Sequence, residues 1–281
     1  MSDLVREFYQ LNRHPFTTEI DVEGLYHFQS FQQGLLRLDQ ALYQRSSVLI
    51  VGEVGSGKTA LIRAFTKRLA PSSFEIRNQL VLAAQKNAAR AAVDGFLTGF
   101  GESIPFNNMA RSLEALKHCL HRLHEQGRQP ILLLDDVHHL KPTDWLTLKA
   151  LMNYELDSKI SVLLIFMGAE EDTLRTLALN SLQEVRDRLG LCYHLRGLKI
   201  QEVEKYLTQR LRWAGARNPL FPADIAEQIW RHSQGIPRRI NRLAGACLLA
   251  AASNKKDLID QTCLVQALSE SQFQAPPREE E

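Results

Sequence analysis

The amino-acid sequence predicts an α/β fold, in which helices cover both faces of a parallel sheet, followed by a small all-α lid domain. Three observations support this prediction. Short apolar runs rich in β-branched residues alternate with helical patterns up to about Leu198, which is typical of parallel sheets buried on both faces. A glycine-rich loop follows the first of these runs. Beyond Leu198 the strand signal stops, which indicates a separate helical domain.

The predicted elements divide the chain into four parts. We predict an N-terminal segment over residues 1–46 that packs on the core, an α/β core over 47–198, a helical lid over 199–270 and a disordered tail over 271–281. The predicted strands are Ser47–Val51, Gln79–Ala83, Ile131–Leu134 and Ser161–Met167. The predicted helices are Phe31–Tyr43, a helix carrying Leu61 to Leu69, Ala88–Phe100, Ser112–Glu125, Trp145–Tyr154, Gln201–Trp213, Ala223–His232, Arg239–Ala252 and Gln261–Leu268.

Composition favours a cytoplasmic protein with no membrane segment. Hydrophobic residues make up 44% of the 281-residue chain and charged residues 23%, as in ordinary globular domains. The longest apolar runs, Ile131–Leu134 and Val162–Gly168, are far shorter than the ~20 residues that span a bilayer. Residues 1–7 lack the apolar core of a signal peptide. The net charge of +2 decides nothing about nucleic acid, because basic residues can concentrate on one face.

The loop after the first predicted strand has the pattern of a phosphate-binding loop. Residues 52–59 satisfy G-x-x-x-x-G-K-[ST] between a predicted strand and a predicted helix. The glycines let successive backbone N–H groups face the phosphates, Lys58 neutralises the β- and γ-phosphates, and the Thr59 hydroxyl coordinates Mg²⁺. The pattern therefore predicts a site for ATP and Mg²⁺. The predicted contact residues are Gly52, Glu53, Val54, Gly55, Ser56, Gly57, Lys58, Thr59 and Ala60.

A second acidic site follows the apolar run Ile131–Leu134, which ends in Asp135 and Asp136. In phosphate-loop enzymes such a strand lies beside the loop, and its terminal aspartate holds Mg²⁺ through water. Asp135 is therefore the predicted metal residue, and Asp136 is predicted to orient and polarise the attacking water. An ordinary strand-to-loop exit can also end in two acids, but its place downstream of a phosphate loop favours the nucleotide site.

Two histidines, His138 and His139, come directly after this acidic pair. Histidines can ligate metals, but no cluster of His, Cys or carboxylate elsewhere in the sequence supports a metal site with them. We interpret them as polar residues near the nucleotide or near an adjacent subunit.

These residues resemble the ExeA/GspA-type ATPases of the AAA+ superfamily, and the resemblance runs from about Phe8 to Glu270. Besides the phosphate loop, an N-terminal signature, a stretch leading into the lid and a lid motif of the form G-x-P-R-x-I-N carry it. They are Phe8-Tyr9-Gln10-Leu11 with Pro15-Phe16 and Leu25-Tyr26, then Leu189–Leu195, and Gly235-Ile236-Pro237-Arg238-Arg239-Ile240-Asn241. The resemblance implies an AAA+ core with a helical lid and an ATPase activity.

The resemblance also implies roles for two arginines. Arg238 matches the sensor-2 arginine, which reaches from the lid to the γ-phosphate, and Arg239 is its neighbouring alternative. Arg188 matches the position of an arginine finger on the nucleotide of the adjacent subunit, with Arg186 as a competitor. A planar guanidinium suits charge spread over phosphate oxygens. For Arg188 the other interpretation is a surface salt bridge with Glu184 or Asp187.

Two departures from the family pattern imply slow, switch-like hydrolysis. The family usually has glutamate where this chain has Asp136, whose side chain is one methylene shorter. The family often reads Gly-Gln-Pro-Glu after the next strand, whereas this chain reads Gly168-Ala169-Glu170-Glu171. Ala169 has no side-chain amide to sense the γ-phosphate.

The resemblance is closest to stand-alone TnsC/TniB-type transposition ATPases, which bind target DNA and recruit a transposase. Leu151–Ser158 and the lid stretch from Leu220 to Ala251 look most like that group. The implied partners are double-stranded DNA, a transposase, a target-selection protein and further copies of the chain in a ring or helical filament. The alternative is an ExeA/MshM-type ATPase of type II secretion or pilus assembly, and other AAA+ roles also stay open.

If DNA binds, AAA+ geometry implies that the loop at residues 85–87 faces the central channel. Lys86 and Arg90 are then the expected phosphate contacts, which are independent of base sequence and sensitive to salt. The alternative is that both are solvated charges at the start of a helix.

Overall fold

The computed structural model describes residues 3–17, 20–83, 85–104, 108–152 and 162–270. These residues form two compact units: those described within 31–195 form a sheet unit, and those described within 3–30 and 196–270 form a helical unit. The predicted disordered tail at 271–281 lies outside the described residues, as does most of the segment at 151–158 that resembles transposition ATPases.

The sheet unit contains a five-stranded parallel sheet with the order β2-β3-β4-β1-β5. Its strands are β1 Val48–Gly52, β2 Phe74–Leu80, β3 Gln129–Asp135, β4 Leu163–Ala169 and β5 Leu191–His194. The central strands β3, β4 and β1 are buried almost throughout, as uninterrupted apolar runs predict for a sheet covered on both faces.

Helices connect these strands and surround the sheet. They are α2 Gln29–Gln44, α3 Lys58–Lys67, α4 Ala88–Gly99, α5 Met109–Glu125, α6 Pro142–Met152, α7 Glu170–Leu177 and α8 Gln183–Arg188. Trp145 of α6 is fully buried, and its ring centroid lies 5.2 Å from that of Phe166 in β4. The predicted parallel α/β fold is confirmed.

Strand β2 begins earlier than its sequence predicts. The sequence indicates a strand at 79–83, whereas the structure has it at Phe74–Leu80. The cause is a buried carboxylate: Glu75 forms ion pairs with Arg77 and Arg128, so this strand contains polar residues that an apolar pattern does not detect. Strand β5 and the short helices α7 and α8 are likewise not predicted from periodicity.

The helical unit contains α9 Ile200–Trp213, α10 Ala223–Ser233, α11 Pro237–Ser253 and α12 Gln261–Glu270, together with the N-terminal helix α1 Leu4–Tyr9. Helix α11 packs against α1, α10 and α12. Among the described helices, none is long and apolar enough to cross a membrane.

The N-terminal segment packs differently from the sequence-based division. Residues 1–30 group with the lid helices, and only residues 31–46 group with the sheet. The reason is visible at Arg210, which is 2% exposed and donates hydrogen bonds to the carbonyls of Pro15 and Thr17 at 2.7 and 2.9 Å. The Tyr9 hydroxyl also donates to the Lys256 carbonyl at 2.9 Å. A buried guanidinium needs such acceptors, and the N-terminal backbone supplies them.

Candidate nucleotide-binding site

The phosphate loop connects β1 to α3. Gly52 ends β1 and Lys58 begins α3, and the Ser56 N–H donates to the Glu53 carbonyl at 3.1 Å in the turn between them. Gly57 has a φ of 102°, a left-handed conformation that glycine adopts without steric cost. The loop therefore leads into the N-terminus of α3, where unpaired N–H groups and the helix dipole favour an anion.

The other predicted contact residues line this loop at different depths. Val54 is 62% exposed, and Gly55 and Ala60 are partly buried. Ser56 is fully buried, and a Cβ placed on Gly52 would lie 2.9 Å from its hydroxyl oxygen. Ser56 therefore packs beneath the end of β1, and its N–H is engaged by the Glu53 carbonyl.

Lys58 lies along the loop that precedes it. Its Nζ donates to the carbonyls of Gly52 and Glu53 at 2.9 and 3.1 Å. The ammonium group is thus held close to the backbone that the sequence predicts to surround the phosphates. A cation in this place attracts the phosphate charge and fits the predicted role of Lys58.

The structure brings Thr59 and Asp135 together. The Thr59 hydroxyl donates to Oδ2 of Asp135 at 3.2 Å, although strand β4 lies between β1 and β3 in the sheet. Asp135 Oδ1 accepts a hydrogen bond from the Asp136 N–H at 2.9 Å. Two oxygen atoms at this separation fit a hard divalent cation such as Mg²⁺.

Burial raises the pKa of Asp135 above the usual range of an aspartate, and the neighbouring charge of Asp136 acts in the same direction. The hydrogen bonds from the Asp136 N–H and the Thr59 hydroxyl, and the charge of Lys58, act in the opposite direction. The carboxylate is thus partly desolvated, which strengthens its attraction for a cation.

Asp136 points its carboxylate toward solvent from a left-handed backbone conformation with a φ of 56°. Its side chain is 45% exposed, and Oδ1 lies 3.8 Å from Nδ1 of His138. The two predicted acids therefore differ in environment: Asp135 faces Thr59, and Asp136 stays accessible to water. This difference is compatible with the separate roles predicted for them.

The end of β4 carries a polar pair that sequence reasoning did not find. Nδ1 of His194 in β5 lies 2.9 Å from Oε1 of Glu170, which follows Ala169. Because Ala169 pairs with Gly52 and His194 with Val51, the pair bridges the strands on either side of β1. Only the sheet order places these residues together, so no local sequence signal exists for it.

A metal site built from histidines finds no support in the described part of the chain. Within those residues, no group of three or more His, Cys, Asp or Glu side chains could hold a metal ion. The rings of His138 and His139 lie 4.0 Å apart, centroid to centroid. The oxygen atoms of Thr59 and Asp135 are therefore the better candidates for Mg²⁺.

The structure separates the two arginine-finger candidates. Arg186 donates to the carbonyls of Leu177 and Leu179, so it stabilises the segment before α8. Arg188 is exposed at the end of α8, and within the described residues it makes no hydrogen bond or ion pair. The suggested partner Glu184 forms an ion pair with Lys149, which lowers the pKa of Glu184, and the charge of Arg188 adds to this effect without an ion pair. Arg188 is therefore the better candidate to act outside its own subunit.

The lid motif at 235–241 combines structural residues with one accessible arginine. Gly235 has a φ of 73°, and a Cβ there would lie 2.2 Å from the Leu198 carbonyl oxygen. Asn241 Oδ1 accepts a hydrogen bond from the Tyr206 hydroxyl at 2.6 Å. Arg239 donates to Gln234 at 3.0 Å, whereas exposed Arg238 has no hydrogen bond or ion pair to any described residue. This difference favours Arg238 over Arg239 for a nucleotide contact.

The two predicted DNA contacts also differ. Arg90 is held by Asp94, with Nε 2.6 Å from Oδ2, and Asp94 in turn accepts a hydrogen bond from Ser112 at 2.9 Å. Lys86 is exposed before α4 and makes no hydrogen bond or ion pair with the residues described. Lys86 is therefore available to bind phosphate, and Arg90 is mainly structural.

Comparison with known proteins identifies the fold. Residues 40–177 match the family model described as AAA domain. The ORC2 protein of Aeropyrum pernix, in ADPNP–ADP complexes, has a TM-score of 0.69 at 17% identity, covering 92% of this chain and 72% of that chain. The ORC1 protein of Aeropyrum pernix in complex with DNA has a TM-score of 0.66 at 18% identity, covering 91% and 68%. The fold is the AAA+ P-loop fold.

The chain is also similar in sequence to a secretion protein. The chain is 29% identical over 247 residues to General secretion pathway protein A of Aeromonas hydrophila, a match that covers 87% of this chain and 44% of that protein. The chain thus spans less than half the length of this relative. This similarity agrees with the sequence resemblance to proteins of the ExeA/GspA type.

Proposed function

We propose that this protein is an ATPase and acts as a nucleotide-dependent regulator of DNA transposition. In this proposal its subunits assemble as a ring or helical filament on double-stranded DNA, and the assembly recruits a transposase, with or without a target-selection protein. The sequence resemblance to TnsC/TniB-type ATPases supports the transposition role. The observation that carries the DNA-binding part is exposed Lys86, whose ammonium has no partner among the described residues.

Nucleotide binding supplies the switch. Lys58 binds the β- and γ-phosphates, and Arg238 contacts the γ-phosphate from the lid. Thr59 and Asp135 would hold Mg²⁺, which would neutralise phosphate charge. Asp136 orients the attacking water. Its carboxylate is one methylene shorter than the glutamate of the family pattern, so we propose slow hydrolysis and a long-lived ATP-bound assembly.

Subunit assembly depends on Arg188. Arg188 is the last residue of α8, and its exposed side chain makes no hydrogen bond or ion pair with a described residue. A planar cation of this kind stabilises charge on phosphate oxygens. We propose that it contacts the nucleotide bound by the adjacent subunit. ATP then joins neighbouring subunits, and hydrolysis releases them.

DNA binding follows from the same assembly. The related fold of ORC1 was determined in complex with DNA, which supports a DNA-binding role for this fold. We propose that Lys86 of each subunit contacts a phosphate, so that binding does not depend on base sequence. Arg90 is not required for this contact because Asp94 holds it.

The direct test compares Lys86→Ala with Lys67→Ala, a control that also removes an exposed lysine but lies at the end of α3. DNA affinity is measured with ATP over a range of salt concentrations. The Lys86 variant is expected to bind DNA more weakly and to lower the salt slope by about 1 for each lost phosphate contact. If DNA affinity depends on salt with the same slope in wild type and both variants, Lys86 does not contact DNA.

A second candidate function is supported by the 29% identity to General secretion pathway protein A. Under this alternative the protein is an ATPase of type II secretion or pilus assembly, and the nucleotide site keeps its role. ATP binding without any affinity for DNA would favour this alternative over transposition.

A further inference from the structure

His138 lies between the predicted water-activating residue and the end of β4. Its side chain is 17% exposed, and Nδ1 lies 3.8 Å from the Asp136 carboxylate. The same nitrogen accepts a hydrogen bond from the Ala169 N–H at 3.4 Å. A Cβ placed on Gly168 would lie 3.2 Å from the His138 backbone nitrogen, so the turn carrying His138 packs closely on β4.

The hydrogen bond from Ala169 fixes the proton arrangement of the imidazole. A backbone N–H can only donate, so Nδ1 must be the unprotonated nitrogen. The proton of the neutral ring is then on Nε2, which becomes a hydrogen-bond donor. Within the described residues, Nε2 has no partner.

The surroundings of His138 also favour the neutral ring. Burial lowers the pKa of His138, and His139 and Lys58 act in the same direction, against the charges of Asp136 and Asp172. The side chain therefore places a neutral hydrogen-bond donor beside Asp136. A side-chain N–H that can donate to the γ-phosphate is what Ala169, at the end of β4, lacks.

We propose that His138 donates a hydrogen bond from Nε2 to the γ-phosphate of bound ATP and so distinguishes ATP from ADP. Its position beside Asp136 and β4 supports a contact with the terminal phosphate and not with the base or ribose. The inference rests on the ATP site of the proposed function but not on DNA binding.

The test measures ATP and ADP affinities without DNA, using a fluorescent nucleotide displaced by each ligand. His138→Ala is expected to weaken ATP binding by roughly 10-fold and leave ADP binding nearly unchanged, because only ATP loses a hydrogen bond to a charged group. His138→Gln keeps a distal N–H donor and is expected to recover most of the ATP affinity. His139→Ala, at the adjacent ring, is the matched control and is expected to change neither affinity.

The selectivity for ATP over ADP separates a direct contact from a structural role. Equal losses of ATP and ADP affinity in His138→Ala, or no loss of either, would overturn the inference. If the alanine variant unfolds, His138→Phe keeps the ring volume without either nitrogen, and the same selective loss is expected. Because DNA is left out, the result is independent of whether the protein assembles on DNA.

Discussion

The hydroxyl of Thr59 and the carboxylate of Asp135 meet at 3.2 Å, although β4 separates the strands that lead to them. The contact joins the first turn of α3 to the end of β3, and it places two oxygen ligands where one Mg²⁺ can bind both. Sheet order, and not proximity in sequence, therefore builds the predicted metal site.

Lys58→Ala is predicted to abolish ATP binding. The ammonium held by the Gly52 and Glu53 carbonyls is the cation of the loop predicted to face the β- and γ-phosphates, and its loss leaves their charge uncompensated. Nucleotide titration measures the effect, with Lys67→Ala as a control at the other end of α3. Retained nanomolar affinity in Lys58→Ala would contradict the assignment.

Asp135→Asn is predicted to make the protein more stable at neutral pH while slowing Mg²⁺-dependent hydrolysis. Burial raises the pKa of Asp135, and a carboxyl whose folded pKa lies above its unfolded value contributes stability at low pH that is lost as pH rises through the folded pKa. Asparagine cannot ionise and so avoids this loss.

Urea unfolding at two pH values checks this prediction. At neutral pH the asparagine variant is expected to have the larger free energy of unfolding. Below the ordinary aspartate pKa of about 3.9 the difference is expected to vanish, because both side chains are then neutral. A variant that is less stable than wild type by the same amount at both pH values would contradict the desolvated environment of Asp135.

Asp136→Glu is predicted to speed hydrolysis. The longer side chain extends the exposed carboxylate by one methylene and restores the reach of the family pattern toward the attacking water. Single-turnover hydrolysis measures the rate, and nucleotide affinity is expected to stay unchanged. A lower rate would show that Asp136 is already placed for its role.

Arg188→Ala is predicted to impair subunit assembly, whereas Arg186→Ala is predicted to lower the stability of the fold. Arg188→Ala is expected to leave stability and ATP binding unchanged but to weaken ATP-dependent assembly and hydrolysis. Arg186→Ala removes hydrogen bonds to the Leu177 and Leu179 carbonyls and is expected to lower the free energy of unfolding by roughly 1–3 kcal/mol. Denaturant unfolding measures the stability of both variants, and sedimentation with ATP measures their assembly. Normal ATP-dependent assembly of Arg188→Ala would show that Arg188 is not the arginine finger.

Local patterns in the sequence predict the parallel α/β fold and most elements, because buried strands such as β3 are uninterrupted apolar runs. An apolar pattern does not predict strand β2, because the strand contains the buried Glu75. This carboxylate forms ion pairs with Arg77 of the same strand and with Arg128, which is distant in the sequence. Strand β5 is short and only partly buried. Its place beside β1 depends on pairing that no local pattern encodes.

The candidate site likewise combines residues that a local sequence pattern identifies with residues whose roles depend on contacts made on folding. The phosphate loop is a contiguous motif, so sequence alone identifies it. The choice between Arg186 and Arg188, or between Lys86 and Arg90, depends on which guanidinium or ammonium already has a partner. Those partners are backbone carbonyls or acids placed by folding, and a pattern of basic residues does not reveal them.

The most direct test of the central claim is negative-stain electron microscopy of the protein on double-stranded DNA, with and without ATP, at two salt concentrations. We predict rings or filaments that form only with ATP and that are lost at the higher salt concentration, because phosphate contacts are screened. No assembly and no DNA affinity in any condition would contradict the transposition role and favour secretion or pilus assembly.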